Sequence, residues 1–291
     1  MMNHPPFNYQ REKQLSEFSS FAIGGSALYF AEARTYGQMQ QMLIFAYRNG
    51  LSFFILGKGS NCLFDDRGYH GLVIRNRIDY LNQQENVFTA GGGYSFARLG
   101  KVTARLGWSG LEFAAGIPAT VGGAIFMNAG ANGQETADTL THVDYVSEAG
   151  EMSSFSREQL TFDYRTSPFQ QMKGAIVGGA FRLKDSQSAK RDQNKNLNDR
   201  LKTQPYSEKS AGCVFRNPQN FSAGQLIEES GLKGYQIGGA CVSKKHANFI
   251  VNTGGAKASD VLQLIETIKE KVYQKKGILL REEIRYIPYL T

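Results

Sequence analysis

Three cysteines in 291 residues, Cys62, Cys213 and Cys241, leave no basis for a disulfide framework: the number is odd, they lie far apart, and no CxxC occurs. The same scarcity argues against a zinc site, so reduced thiols and no metal are expected. No apolar run approaches the roughly 18 residues of a membrane span, and the N-terminal stretch MMNHPPFNYQREK lacks an apolar core of the signal-peptide kind. A soluble, cytoplasmic protein without a membrane partner is expected. There is no GxxxxGK[ST] loop and no repeat at solenoid spacing. The formal net charge is +7, yet Lys and Arg are mixed with Asp and Glu along most of the chain. No long basic run or RNP-like aromatic–basic motif occurs, so a nucleic-acid partner ranks below a small anionic one. A positive field speeds the capture of nucleotides and carboxylates just as well.

What is present is a globular composition, 41% hydrophobic, long enough for two or three domains. One stretch stands apart. Gly107–Gly133, GWSGLEFAAGIPATVGGAIFMNAGANG, holds seven glycines in 27 residues and is apolar enough to lie inside the protein. A buried, glycine-dense segment cannot be a solvated linker, because its backbone groups all need partners. Glycine lets main chain approach a flat or phosphorylated ligand closely, and Pro118 stiffens the Ile117-Pro118-Ala119 turn. A cofactor cradle is the preferred reading, with a tightly packed turn between strands as the alternative.

The rest of the chain reads as alternating strands and helices. A turn at Gly24-Gly25 precedes a strand to residue 33. Thr35-x-x-Gln38 is a capping box for a helix with Met39, Met42, Leu43 and Ala46 on one face and Gly50 at its end. The strand Leu51–Leu56 runs into Gly57-Lys58-Gly59-Ser60-Asn61. No third glycine follows, so the Rossmann fingerprint fails; an anion nest aided by Ser60 and Asn61 remains, beside an ordinary strand-to-strand turn. Short strands are expected at Gly71–Arg75, Val87–Ala90, Thr141–Ser147 and Ala175–Leu183. Ser95 caps a helix with Phe96, Leu99, Val102 and Leu106 at helical spacing, ended by Gly107. From Lys184 to Ser210 the chain turns polar, with seven basic and four acidic residues, and reads as a surface helix or hinge. Beyond it come a strand at Gly212–Arg216, a helix capped by Ser222-x-x-Gln225, a strand at Phe249–Val251, a helix from Ser259 burying Val261, Leu264, Ile265, Ile268 and Val272, and a closing strand Ile278–Ile287.

Six motifs occur in one order: Gly57-Lys58-Gly59-Ser60-Asn61, GLEFAAGIPATVGGAIFMNAGA, FDYRTSPF from Phe162, AGCVFRNP from Ala211, KHANFIVN from Lys245 and LREEIRY from Leu280. Together they resemble the UDP-N-acetylenolpyruvoylglucosamine reductase (MurB) family, and the short chain resembles its compact type, which lacks an extra substrate loop. The resemblance implies an α+β fold: a two-lobed FAD-binding domain of the vanillyl-alcohol-oxidase/PCMH type (lobes 1–75 and 76–185), a hinge at 186–210, and a C-terminal α/β substrate domain at 211–291. It implies that FAD lies along Gly57, Lys58, Gly59, Ser60 and Asn61 and the turn of Ile117, Pro118, Ala119, Thr120, Gly122 and Gly123, with Asn128, Ala129 and Gly130 lining it. The implied chemistry takes hydride from NADPH and passes it to an enolpyruvyl ether on a UDP-sugar.

By the same resemblance Arg165 polarises the substrate carboxylate, Glu283 is the family glutamate, and Cys213 stands where many members carry a proton-donating serine. Arginine suits a carboxylate because its planar fork pairs with both oxygens. A thiol releases a proton more readily than an alcohol. In an extended closing strand Arg281, Glu283 and Arg285 share one face opposite Leu280, Ile284 and Tyr286, which favours Glu283 over Glu282. Substrate contacts are implied for Tyr164, Arg200, Lys202, Gln204, Asn217 and Arg285; His246 reads as structural. Two other readings share part of this pattern: an FAD-dependent oxidase of the same fold class acting on an alcohol or sugar lactone, and a basic nucleic-acid-binding protein without catalysis.

Overall fold

The computed structural model describes residues 5–290; the first four residues of the N-terminal stretch and Thr291 lie outside it. The chain gathers into two compact units, and neither is one contiguous segment. The first holds the chain up to Arg11, Tyr29–Lys58 and Gly71–Arg200; the second holds Glu12–Leu28, Gly59–His70 and the chain from Leu201 onward. Successive cuts at 75, 185 and 210 therefore differ from the observed grouping of residues 12–28 and 59–70. The physical reason is burial: Phe21, Ile23 and Leu63 share one apolar cluster with Val214, Phe215, Leu226, Ile250 and Ile268. Local patterning identifies a strand or turn but not the distant core it joins.

In the first unit, helix α1 (Tyr36–Arg48) starts where its capping residue dictates. The Thr35 hydroxyl accepts the Gln38 N–H at 3.2 Å, and Met39, Met42, Leu43 and Ala46 are buried. The Gln38 side chain closes the box on the N–H of Arg34 rather than of Thr35. Phe53–Leu56 pairs in parallel with Tyr69–Asn76 and delivers the chain to the 57–61 loop. Helix α2 (Phe96–Arg105) is capped by Ser95 and buries Phe96, Leu99, Gly100, Thr103 and Ala104. Leu106 does not join that face; it follows the last helical residue and is 51% exposed.

A five-stranded antiparallel sheet orders Met152–Ser156, Leu140–Ser147, Gly174–Arg182, Val87–Gly91 and Leu81–Gln84. Within the glycine-rich stretch lies a short helix, α3 (Val121–Phe126), which packs on this sheet. The approach is close at Gly179, where a Cβ would stand 2.6 Å from Ile125 Cδ1, so a larger residue there would have to displace the end of the Ile125 side chain. The polar stretch forms helix α4 (Ala189–Thr203), in which Ala189 and Gln193 are buried.

In the second unit, an antiparallel sheet orders Ser210–Cys213, Phe249–Asn252, Ala240–Val242 and Gln236–Ile237. Ser222 caps α5 (Ala223–Glu229) as expected. Helix α6 (Ala258–Lys276) buries Val261, Leu264, Ile265, Ile268 and Val272 and ends at left-handed Gly277. Ser259 does not start it. Asp66 caps it instead, accepting the N–H groups of Ala258 at 2.7 Å and Ser259 at 3.2 Å, favourable because helix N-termini carry partial positive charge.

The closing strand is shorter than expected: only Arg285–Ile287 is strand, paired in parallel with Cys62–Phe64. The chain bends at Ile284, so Leu280, Ile284 and Ile287 are the buried positions, and Tyr286 is 38% exposed. The single face expected for Arg281, Glu283 and Arg285 therefore does not form as one extended strand.

Asp65 locks this end of the second unit. Its carboxylate accepts two bonds from the Arg67 guanidinium, the Arg67 N–H, and the Tyr286 hydroxyl. The Arg67 guanidinium, with the Tyr286 hydroxyl, holds the Asp65 carboxyl well below the usual carboxylate range. A depressed carboxyl contributes stability above its unfolded value, about 3.9, and loses it as pH falls through the folded value. Asp65→Asn should cost about 2 kcal/mol near neutrality. Denaturant melts from pH 5 to pH 2 should show a shallower loss for the variant than for the wild type.

Candidate active site

The first unit assembles the glycine cradle. A Cβ on Gly57 would fall 2.7 Å from Thr120 Oγ1, so the start of the 57–61 loop lies close against Thr120 of the Pro118 turn, with no room there for a side chain. Lys58 Nζ donates to Ser95 Oγ at 2.9 Å, and desolvation lowers the Lys58 pKa below its ordinary value. Thr120 caps α3 through the Gly123 N–H. Four other donors of this turn are engaged too: Ile117 to Ala114, Ala119 to Ile117, Val121 to Tyr94 and Gly122 to Gly92. What the 117–123 turn offers a ligand is therefore close contact rather than a row of N–H donors. The N–H groups of Lys58, Gly59 and Ser60, by contrast, have no acceptor among the described residues. An anion nest and an ordinary turn both stay open to that loop.

Asn128 is fully buried and left-handed (φ 42°), with both ends of its carboxamide used inside the protein. Nδ2 donates to the Asp163 carbonyl at 3.0 Å, and Oδ1 accepts the Ala137 N–H at 3.1 Å. Any part it plays toward a cofactor falls to its backbone. Gly130 is held against the Gln134 carbonyl, which a Cβ would meet at 2.5 Å.

Arg165 sits in a tight turn closed in both directions between Asp163 and Thr166. Its φ of 54° is in the left-handed region, a conformation that costs a bulky residue on the order of 1–2 kcal/mol. Glycine would sit there without strain. The guanidinium lies 4.8 Å from the centre of the Tyr164 ring and donates from Nη2 to the Gly130 carbonyl at 2.9 Å. Arg165 and the Asn128–Gly130 segment are thus brought together, as is Arg200, whose Nη1 reaches the Gly116 carbonyl at 3.5 Å beside the Pro118 turn.

The second unit collects the remaining candidates. Asn61 Nδ2 donates to the Glu283 carbonyl at 3.2 Å, the Arg285 N–H donates to the Asn61 carbonyl at 3.0 Å, and the Glu283 N–H donates to Val214, next to Cys213, at 2.7 Å. A Cβ on Gly212 would lie 3.9 Å from the Ser60 carbonyl. One net of hydrogen bonds therefore joins Asn61, Val214, Glu283 and Arg285, with Cys213 next to Val214 in the chain. Glu282 instead pairs with Lys269 at 2.8 Å. Asn217 spends its Oδ1 on the Ala223 N–H at 3.0 Å, at the start of α5. Lys202 is exposed and Gln204 half-buried at the end of α4, and neither is brought into the net. His246 packs on Phe249 at 4.9 Å, and burial lowers its pKa, in keeping with a structural role. The cysteines are all thiols.

Two residues were not singled out from sequence. Gln170 donates to the carbonyls of both Phe126 and Arg165. Arg216 buries its Nε–H with no acceptor among the described residues. A buried unpaired donor costs about 1–3 kcal/mol, which an anionic ligand oxygen would offset. Its place between Cys213 and Asn217 was the available signal.

No group of three or more His, Cys, Asp or Glu side chains among the described residues could hold a metal, and no described helix is long and apolar enough to cross a membrane. The bare-backbone cradle, the open N–H groups of the 58–60 loop and the separate set on the second unit fit a flavin dinucleotide and an anionic substrate. An FAD binding domain model matches residues 27–156, and the UDP-N-acetylenolpyruvoylglucosamine reductase C-terminal domain matches residues 204–287. The class is thus a flavoprotein with an FAD-binding domain and a separate C-terminal domain. UDP-N-acetylenolpyruvoylglucosamine reductase of Protochlamydia amoebophila is 58% identical over 98% of this chain and 95% of its own length. That of Chlamydia muridarum is 47% identical over 99% and 98%. The crystal structure of the Thermus caldophilus enzyme superposes with a TM-score of 0.83 at 34% identity, covering 97% of this chain and 99% of that one. The chain belongs to the UDP-N-acetylenolpyruvoylglucosamine reductase family.

Proposed function

We propose that this protein reduces the enolpyruvyl ether of UDP-N-acetylglucosamine enolpyruvate to UDP-N-acetylmuramate, with FAD as cofactor and NADPH as reductant, in cytoplasmic peptidoglycan precursor synthesis. The observation that carries this reading is the hydrogen-bond net tying cofactor-loop residue Asn61 to Glu283 and, through Glu283, to Val214 beside Cys213. The Gly57–Asn61 loop, the Ile117–Gly123 turn and the 128–130 backbone would hold FAD, which when bound supplies hydride to the enolpyruvyl carbon. Arg165 pairs with the substrate carboxylate and stabilises the charge that grows on it, an interaction stronger in the transition state than before it. Cys213 delivers the proton that C2 takes up, and Glu283 supports that delivery. Tyr164, Arg200, Lys202, Gln204, Asn217 and Arg285 are assigned to the UDP-sugar, whose diphosphate suits a cationic lining.

Purified protein should be yellow. In stopped flow, NADPH should bleach the bound flavin, and the enolpyruvyl sugar nucleotide, rather than O₂, should restore its colour rapidly. Colourless protein that cannot be reconstituted with FAD would end this reading, and fast recovery with O₂ alone would favour an oxidase. Glu283→Gln should slow recovery with substrate on the order of 10²-fold while FAD stays bound. Loss of FAD from that variant would instead place Glu283 in the cofactor site.

A further inference from the structure

Arg165 is mounted unusually for a residue that has to aim a charge. Its turn carries a non-glycine residue in left-handed conformation, and two side chains from outside the turn hold it there. Asn128 Nδ2 donates to the Asp163 carbonyl, which also accepts the Thr166 N–H that closes the turn. Gln170 Nε2 donates to the Arg165 carbonyl at 3.0 Å and to the Phe126 carbonyl at 2.9 Å. Ser167 Oγ donates to that same Phe126 carbonyl at 2.7 Å. Phe126 is the last residue of α3, and Asn128 follows it by two. The Arg165 turn is thus latched to the C-terminal end of the helix whose N-terminal end, capped by Thr120, forms part of the glycine cradle.

We infer that Asn128 and Gln170 are positioning residues for Arg165, making α3 a rigid spacer between cradle and guanidinium. This rests on the reading of Arg165 as the partner of the substrate carboxylate. The chemistry behind it is geometric: a planar fork pairs with a carboxylate only over a narrow range of orientations. Without the two amides, the strained turn relaxes to an ordinary conformation and swings the guanidinium away from the Tyr164 ring and the Gly130 carbonyl. Neither amide touches substrate in this scheme. Both act through the backbone of the turn.

The test uses the FAD-loaded protein with Gln170→Met, which keeps length and packing but has no donor, and Asn128→Gly, which keeps the left-handed backbone but loses the amide. Each should slow recovery of flavin colour at saturating substrate by about 10- to 100-fold, and in Gln170→Met, which lies outside the cofactor-holding segments, bleaching by NADPH and the half-saturating substrate concentration should be little changed. In an Arg165→Ala background, Gln170→Met should cost less than about twofold more, because the latch then has nothing to aim. Trypsin should cut after Arg165 about tenfold faster in Gln170→Met than in the wild type, with or without FAD, because the turn opens more often. Melting curves identify a variant that is merely unfolded, in which case the other carries the test. Wild-type recovery in both variants, or a full penalty persisting in the Arg165→Ala background, would overturn the inference while leaving the role of Arg165 standing. Wild-type recovery in Arg165→Ala itself would remove that role and this inference with it.

Discussion

Arg165→Lys should reduce the substrate-dependent step on the order of 10²-fold even though it preserves charge. Lysine offers a point charge on a flexible stem, while the carboxylate needs two parallel N–H bonds that tighten as negative charge spreads onto it. The shorter reach also forfeits the contacts that fix the present side chain, the Tyr164 ring and the Gly130 carbonyl. Bleaching of the flavin by NADPH should stay within about twofold of wild type, because the proposed partner of Arg165 is the substrate. Single-turnover traces for the two halves separate these outcomes. A lysine variant recovering at the wild-type rate would assign the carboxylate to another cation.

Cys213→Ala should lower the same half-reaction on the order of 10³-fold, within the range a positioned general acid supplies. Cys213→Ser should retain much more activity, because a hydroxyl at that position can serve the same role. The backbone around Cys213 is well defined: the residue pairs with Phe249, and its neighbour Val214 accepts the Glu283 N–H. Neither variant has to disturb the fold, since cysteine, serine and alanine differ little in size. An alkylating reagent should inactivate the wild type and leave Cys213→Ser untouched, with substrate protecting against the loss. Cys62 gives the contrast within one molecule, because burial pushes its thiol up to about 11. Its thiolate fraction at neutral pH is correspondingly small, so modification there should be slow. If Cys213→Ala turned over normally, the proton would have to reach C2 from Glu283 or from water.

Elements set by their own residues were legible in the sequence. Thr35 with Met39, Met42, Leu43 and Ala46 defined α1, and the apolar spacing from Val261 to Val272 defined α6. What escaped depended on partners far along the chain. The cap of α6 comes from Asp66, 192 residues earlier. Glu282 is committed to Lys269 across a bend that period-two alternation hides. The glycine stretch announced close backbone contact but not that α3 would form within it and use its own donors. The left-handed conformation of Arg165 left no trace, because such conformations are read from glycine and asparagine, not from arginine.

The interleaving of the two units bears on how the chain is made. Synthesis runs from the N-terminus, so residues 12–28 and 59–70 emerge long before the segment from Leu201 onward that completes their core. Until then Phe21, Ile23 and Leu63 have no cluster to enter, and the strand Cys62–Phe64 waits for its parallel partner Arg285–Ile287. Contacts that close such long loops form late and slowly. The core of the second unit can therefore close only once the segment from Leu201 onward has been made. For the same reason a fragment begun at Leu201 would lack part of its core, the cap of its longest helix and the strand beside its C-terminal end.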